Sequence, residues 1–234
     1  MFMITVLALS ISIAAILYIA VPTLIKFTIA HSFTRRATQS PYAFLTFDDG
    51  PHPKATPRIL ELLREARVKA TFFLIGRHAD RHPQLVKDIL WDGHLIGEHG
   101  YDHLHAWKAN PIRFIEDLKK SRSTLDNLAT SSRTSRYFRP AFGKLNLISI
   151  LYIWYHRLEV VLWNVDPRDY AAENGEEVAD YVSSRLTPGQ VILLHDGRYQ
   201  NTENLGSTVD GLAKILEYAQ RKGITFTTID KLFP

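Results

Sequence analysis

Hydrophobic positions divide the chain into an uncharged start and a region in which two periodicities alternate. Residues 1–25 carry no charged side chain, whereas short apolar runs and stripes at helical spacing alternate from Pro41 onward. Short apolar runs bounded by turn residues are typical of buried strands, and a repeat near 3.6 residues is typical of amphipathic helices. The pattern predicts seven strands, at residues 42–47, 70–74, 94–98, 136–139, 160–163, 191–194 and 224–228.

Helices are predicted between these strands. One apolar stripe contains Ile59, Leu62, Leu63 and Ala66, and similar stripes occur in the later intervals. Segment 147–155 is apolar nearly all round, so it is predicted to be buried or to lie against a membrane. Alternating strands and helices indicate a parallel α/β domain, for which an open doubly wound sheet and an irregular β/α barrel both fit. In a barrel, reactive groups collect at the carboxyl ends of the strands.

The uncharged start predicts a membrane helix, because about 20 residues at about 1.5 Å each cross a hydrocarbon core of about 30 Å. A cleaved signal peptide is the alternative, but no Lys or Arg precedes the run and no clear cleavage site follows it. We therefore predict a transmembrane anchor at 1–25, a short linker at 26–40 and one globular domain at 41–234. The first basic residues, Lys26, Arg35 and Arg36, follow the span, which by the positive-inside rule places the domain in the cytoplasm.

The amino-acid composition excludes several kinds of site and partner. The 234 residues are 46% hydrophobic and 22% charged, as expected for one globular domain. The chain has no cysteine, which excludes disulfides, thiolate metal ligands and a cysteine nucleophile. The net charge of +4 comes without a dense basic run, so no nucleic-acid partner is predicted. No protein partner is predicted either.

Unusual polar residues follow five of the predicted strands. Each motif has a structural explanation as a turn, but their joint position at one edge of a barrel favours a single active site. The motifs are Thr-Phe-Asp-Asp-Gly-Pro at 46–51, Glu-His-Gly-Tyr-Asp-His at 98–103, Arg-Pro-Ala-Phe-Gly at 139–143, Asp-Pro-Arg-Asp-Tyr at 166–170 and Leu-Leu-His-Asp-Gly at 193–197.

Two histidines and a carboxylate make an open three-ligand site for zinc or a similar divalent metal. His99 and His103 can face one ion, and Asp48 or Asp49 would complete the set. Adjacent side chains on a strand point in different directions, so one aspartate can bind metal while the other acts as a base. A bound metal lowers the pKa of water towards about 7, and a histidine across the site could protonate a leaving group. These parts predict a metal-assisted hydrolase of a carbonyl compound.

The five motifs, in this order, resemble those of the polysaccharide deacetylases, the NodB-homology or carbohydrate esterase 4 family. The resemblance covers about residues 42–232. It implies a distorted (β/α)7 barrel, here preceded by the transmembrane helix, that removes N-acetyl or O-acetyl groups from an acetylated saccharide. It also implies a divalent metal, with zinc expected and cobalt or nickel as alternatives. The family's usual location places the domain outside the cytoplasmic membrane, against the charge rule, and we predict that side.

The resemblance implies two acid–base pairs. Asp48 is expected to be the general base, held in place by Arg139. His195 is expected to be the general acid, oriented by Asp169. Asp166 competes for this orienting role, and we prefer Asp169 because an aromatic residue follows it directly, as in the family motif.

The remaining implied roles are metal ligation and substrate contact. The metal ligands are expected to be Asp49, His99 and His103. The backbone N–H of Phe142, which replaces the family's usual tyrosine, is expected to help form the oxyanion hole. The acetyl pocket is expected to involve Leu193 and Tyr170.

Three residues depart from the family pattern. They change the surroundings of the expected metal ligands and the pocket wall, but not the ligands themselves. Gly100 replaces the usual Ser or Thr, Tyr170 the usual tryptophan, and Glu98 a common asparagine. Because the acid, base and metal set is complete, we predict an active enzyme. The alternatives are a membrane-tethered glycan-binding protein without turnover, and a deformylase or cyclic-amide hydrolase on the same fold. The short linker suggests a substrate close to the membrane, such as a lipid-linked saccharide.

Overall fold

Six parallel strands form one sheet in the computed structural model, which describes residues 2–129, 136–198 and 206–233. The order across the sheet is β5-β4-β3-β2-β1-β6, so the first strand lies next to the last. The strands are β1 (Phe44–Asp48), β2 (Thr71–Leu74), β3 (Leu95–Glu98), β4 (Tyr137–Phe138), β5 (Glu159–Val160) and β6 (Val191–His195).

Amphipathic helices cover the outer face of this sheet. Their apolar stripes form the largest core cluster with alternate residues of the strands, such as Leu45 and Phe47 of β1. The helices of the domain are α3 (Ala55–Glu65), α4 (Gly76–Arg81), α5 (Pro83–Trp91), α6 (Pro111–Leu128), α7 (Leu147–His156), α8 (Gly175–Ser183) and α9 (Gly206–Lys222). Two 3-10 turns, at Ala141–Gly143 and Ile229–Leu232, complete the domain.

The inner face of β1 leads to the functional edge. Phe44 belongs to a second cluster that includes Phe73, Val161 and Val191 from the neighbouring strands and connections. Successive side chains of a strand point to opposite faces, so Phe44, Thr46 and Asp48 share one face. The alternation of side chains along β1 therefore places Asp48 in the barrel interior, at the carboxyl end of the strand.

The α/β class and the NodB-type barrel are confirmed, but with six strands in the described residues. The predicted seventh strand, 224–228, is reduced to one parallel bridge between Ala43 and Phe226. The predicted strand 160–163 ends earlier, since β5 stops at Val160. A further bridge joins Val165 to Ile192 of β6, so the chain after β5 approaches the other edge of the sheet. The result is a distorted, partly closed barrel.

The N-terminal segment is one helical run. It consists of α1 (Phe2–Ala15), a π-helical turn (Ile16–Ala20) and α2 (Val21–Thr38). Within it, the helix Ile16–Thr38 contains an 18-residue window with a mean hydropathy of 1.5, so it is long and apolar enough to cross a membrane, as a signal sequence also would be. The predicted linker 26–40 is helical through Thr38, because Phe33 and Ala37 are buried on the domain.

Helix α7 corresponds to the segment that is apolar nearly all round. It packs against α6 and α2 and buries Ser149 and Tyr152. Its outer face leaves Trp154 and Tyr155 exposed at 77% and 75%. The helix is therefore neither fully buried nor wholly exposed.

Candidate active site

The first part of the site is a buried ion pair at the end of β1. Arg139, which follows β4, is fully buried and its Nη1 lies 2.7 Å from Asp48 Oδ1. The same guanidinium donates to Thr46 Oγ1 at 2.8 Å and to the carbonyls of Val161 and Leu162 at 3.2 and 3.1 Å. Burial raises the pKa of Asp48, and the charge of Arg139 opposes this rise. Arg139 thus fixes the position of Asp48 Oδ1, and Oδ2 is the oxygen of this carboxylate that can face the cavity.

Three of the predicted metal ligands lie together beside this pair. Asp49 Oδ1 is 3.5 Å from His99 Nε2 and 3.3 Å from His103 Nε2. All three side chains are buried, and their ligand atoms lie within 4.8 Å of one another. Asp48 Oδ2 is also 3.5 Å from His99 Nε2. The structure therefore places Asp49 between both histidines and Asp48 at the border of the set.

The protonation of the two histidines fits a divalent metal. Burial lowers the pKa of His99 to about 3 and that of His103 to about 2, so both rings are neutral near pH 7. His99 Nδ1 lies 2.7 Å from the carbonyl oxygen of Arg139, to which an N–H can donate. The Nε2 lone pair of His99 then faces Asp49, the usual arrangement for a metal-binding imidazole. Two neutral imidazoles and one carboxylate are a donor set suited to zinc.

A buried carboxylate shapes the loop that carries the histidines. Asp117 of α6 accepts the backbone N–H groups of Tyr101 and Asp102 at 2.9 and 2.7 Å. Gly100 has a φ of 80°, and a Cβ there would lie 3.0 Å from Asp117 Oδ2. His103 has a φ of 56°, in the left-handed region that is costly for a residue with a side chain. Gly100, where the family usually has Ser or Thr, thus lies in a backbone conformation that favours glycine.

A second pair, expected to supply the general acid, joins His195 to Asp169. His195 Nδ1 is 2.7 Å from Asp169 Oδ1, and the His195 backbone N–H donates to Asp169 Oδ2 at 2.8 Å. Thr208 of α9 donates to the same Oδ2 at 2.7 Å. Asp166 does not take this place, since its Oδ1 accepts the Arg168 backbone N–H at 2.9 Å and its side chain lines the cavity.

Electrostatics keep His195 protonated. Burial opposes the charged imidazole, but the charge and hydrogen bond of Asp169 prevail and raise the pKa of His195 to about 10. Burial would also raise the pKa of Asp169, yet the contacts with His195 and Thr208 lower it. The pair is therefore an imidazolium held by a carboxylate.

Asp48, His195 and the group formed by Asp49, His99 and His103 border one cavity of about 560 Å³. Phe142 lies at its mouth with a φ of 55°, and its ring contacts His103 at 4.5 Å between centroids. Leu193 lies buried in the wall. The Tyr170 ring stands edge-on to His195 at 5.3 Å between centroids. The three residues expected to contact substrate therefore line the same cavity as Asp48 and His195.

Sequence reasoning assigned no role to two buried carboxylates near the site, Asp196 and Glu98. Burial raises the pKa of Asp196 to about 7, and Thr56 donates to its Oδ2 at 2.6 Å. Burial likewise raises the pKa of Glu98 to about 7, although Arg122 and Tyr152 each lie 2.8 Å from its carboxylate oxygens. The signal for Asp196 was its place directly after His195. Nothing local in the sequence pairs Glu98 with residues of α6 and α7.

The carboxyl ends of the parallel strands share an Asp-His-His group and two buried pairs, Asp48–Arg139 and His195–Asp169, an arrangement suited to a hydrolase of the sugar-deacetylase class. Comparison with known proteins agrees. The polysaccharide deacetylase family profile matches residues 35–159. A peptidoglycan-N-acetylglucosamine deacetylase of Bacillus cereus is 35% identical over 190 residues, which cover 80% of this chain and 86% of that protein. A chitooligosaccharide deacetylase of Azorhizobium caulinodans is 35% identical over 154 residues, which cover 66% and 73%.

Solved structures give the same result. A peptidoglycan N-acetylglucosamine deacetylase in complex with a naphthalenyl N-oxidanyl-benzamide superposes with a TM-score of 0.76 at 32% identity, covering 83% of this chain and 89% of that one. A family 4 carbohydrate esterase from Streptomyces lividans in complex with acetate has a TM-score of 0.72 at 27% identity, covering 82% and 95%. The chain belongs to the polysaccharide deacetylase family and is an enzyme of that family.

Proposed function

We propose that this protein is a divalent-metal-dependent deacetylase of an acetylated saccharide, with an N-acetylated amino sugar as the principal candidate. The observation that carries the proposal is the position of the Asp49, His99 and His103 group. It lies between the Asp48–Arg139 pair and a cavity that His195 also borders. A carbonyl placed there would be within reach of a base and an acid at once.

The metal would be held by Asp49, His99 and His103. A divalent cation in such a set supplies Lewis acidity, which lowers the pKa of water and stabilises negative charge on an amide oxygen. Zinc is the ion that this donor set favours, with cobalt or nickel as alternatives. The chain contributes the neutral imidazoles and the buried carboxylate that such an ion requires.

The proton transfers would fall to the two pairs. Asp48 would take a proton from the attacking water through Oδ2, because Arg139 holds Oδ1. His195 would give its Nε2 proton to the departing sugar nitrogen, because Asp169 holds Nδ1. The water oxygen forms a bond to the acetyl carbon, the carbon–nitrogen bond breaks, and the products are acetate and an amine. His195 already carries the proton that it would donate, because Asp169 raises its pKa to about 10.

The cavity wall would bind the acetyl group. The backbone N–H of Phe142 would support charge on the carbonyl oxygen, and Leu193 would contact the methyl group. The Streptomyces lividans esterase of the same fold binds acetate, a product of this reaction, which supports an acetyl-sized pocket.

Acetate release from a panel of acetylated saccharides tests the proposal. The full chain should release acetate, lose this activity with a chelator and regain it with zinc, cobalt or nickel. Formate in place of acetate would favour the deformylase alternative. Tight metal binding without any acid product would favour a glycan-binding protein without turnover.

We further propose that the N-terminal helix stays attached as a single-pass anchor, with the domain on the extracytoplasmic side. The contacts of Phe33 and Ala37 with the domain support retention of the helix. The charge rule, applied to Lys26, Arg35 and Arg36, opposes this orientation. A C-terminal reporter that is active on only one side of the membrane decides between the two sides.

A further inference from the structure

Helix α2 runs along the barrel from the active-site edge to the opposite edge. Lys26 Nζ donates to the Gly143 carbonyl at 2.6 Å, and Gly143 follows β4 at the carboxyl edge. Eleven residues later, the carbonyl oxygen of Ala37 would lie 2.7 Å from a Cβ on Gly189, which precedes β6 at the amino edge. The helix is thus antiparallel to the strands, and everything before Lys26 extends from the edge that carries the active site.

The extension is long enough to enter a bilayer. Residues 2–17, at about 1.5 Å each, reach about 24 Å beyond the domain. Large apolar side chains along this part are exposed, among them Phe2 at 85%, Leu7 at 61% and Ile16 at 57%. Tyr18 contacts the domain through its hydroxyl, which accepts a hydrogen bond from Asn146 Nδ2 at 2.8 Å. Asn146 also caps α7, so this contact is anchored in the domain.

The rim at that level suits the lipid–water interface. Phe142 and Tyr170 line the cavity and are exposed at 42% and 46%, and Trp107, whose indole N–H donates to the Leu145 carbonyl beside Asn146, is exposed at 38%. Lys26 and Lys144 both lie beside Gly143. Aromatic and basic side chains are enriched at the level of lipid headgroups. Tryptophan and lysine also meet directly, since Lys144 Nζ lies 4.6 Å from the centroid of the Trp107 ring.

From this geometry we propose that the cavity opens towards the bilayer and takes an acetylated saccharide carried on a membrane lipid. The inference rests on the proposed deacetylase function and names its substrate class. A mouth at headgroup level reaches sugars directly attached to a lipid anchor. A polymer that lies farther from the membrane would have to enter between the domain and the bilayer. The cavity would open towards the bilayer whichever side of the membrane the domain occupies.

A depth measurement tests the geometry without catalysis. Because the chain has no cysteine, Lys144→Cys at the rim and Gln220→Cys near the opposite edge each give a unique labelling site. The full chain is labelled with an environment-sensitive fluorophore and placed in nanodiscs that contain nitroxide headgroup lipids. We expect strong quenching at position 144 and little at 220. Equal quenching, or stronger quenching at 220, would overturn the proposed orientation.

A spacer series tests the substrate class. The same tri-N-acetylated chitotriose is offered free, on a lipid through a short phosphate link, and on a lipid through a spacer of about 40 Å, all with the full chain in nanodiscs. We expect kcat/KM for the short-linked sugar to exceed that of the free sugar by roughly tenfold or more, as for other tethered encounters. It should also equal or exceed the value for the long-linked sugar.

The outcomes separate the two proposals. Acetate from the free and long-linked sugars but not from the short-linked one contradicts a mouth that faces the bilayer, while the deacetylase function stands. No acetate from any of the three, with metal bound and the depth result as expected, contradicts the deacetylase function instead. An equal kcat/KM for the free and short-linked sugars contradicts a lipid-carried substrate.

Discussion

Arg139 Nη1 lies 2.7 Å from Asp48 Oδ1, with both side chains buried, so the expected base is held by a cation that has no access to solvent. Removing one partner of a buried pair leaves an uncompensated charge. Arg139→Met should lower the free energy of unfolding by about 3–5 kcal/mol. Denaturant titration followed by tryptophan fluorescence measures this change.

A matched control is available in the same segment. Arg136 pairs with Glu159 at 3.5 Å, with 56% of the arginine side chain exposed. Arg136→Met should therefore cost less than about 1 kcal/mol. Similar losses in the two variants would show that burial does not set the strength of the Arg139 pair.

The pH dependence should report the His195–Asp169 pair. The general acid must be protonated, and Asp169 raises the pKa of His195 from its ordinary 6.5 to about 10. Asp169→Asn removes the negative charge, so the basic limb of the kcat profile should move to lower pH. A pH–rate profile of both proteins measures the shift.

Asp166→Asn serves as the control and tests the alternative partner. Its carboxylate lines the cavity but accepts a backbone N–H from Arg168. The basic limb should stay in place in this variant. A shift with Asp166→Asn and none with Asp169→Asn would transfer the orienting role to Asp166.

The same pair should affect stability in opposite pH ranges. The raised pKa of His195 contributes stability that is fully present below about pH 6.5 and is lost as pH rises through about 10. The lowered pKa of Asp169 contributes stability above its ordinary 3.8 that is lost as pH falls through its folded value. Asp169→Asn should therefore destabilise most between about pH 4 and 6.5, where both contributions are present, and denaturation curves across pH would show this.

Asp117 should influence metal affinity without touching the metal ligands. Its carboxylate accepts two backbone N–H groups of the loop between His99 and His103. Asp117→Ala leaves these donors without their acceptor, so metal affinity should fall by about 10–100-fold. Competition with a chromogenic chelator measures it. Asp126→Ala, on the exposed side of the same helix, should change little, and equal affinities in all three proteins would remove Asp117 from this role.

Much of the architecture follows from local patterns in the sequence. Strand positions follow from the periodicity of apolar residues, which is a local property of the sequence. The polar motifs that follow these strands then indicate the edge of the sheet at which the site lies. The linker predicted at 26–40 is helical through Thr38, and Ile29, Phe33 and Ala37 form an apolar stripe spaced four residues apart along it. That stripe is the signal that could have predicted helix α2 on the domain.

The parts that could not be predicted depend on contacts between distant segments. Glu98 meets Arg122 and Tyr152 only because β3, α6 and α7 pack together. The apolar run at 224–228 predicts a seventh strand, but only Phe226 forms a β-bridge, with Ala43. Pairing partners are not encoded in a strand's own periodicity, so a run of this kind predicts a strand whether or not the ladder extends.

We propose above all that Asp49 binds the metal while its neighbour Asp48 is the base. Parallel measurement of bound zinc and acetate release in Asp48→Asn tests it most directly, with Asp49→Ala as the matched variant. Asp48→Asn should retain stoichiometric zinc and lose about 10²–10⁴-fold in kcat, whereas Asp49→Ala should lose zinc. An Asp48→Asn enzyme with near wild-type turnover, or one that loses its zinc while Asp49→Ala keeps it, would contradict the claim.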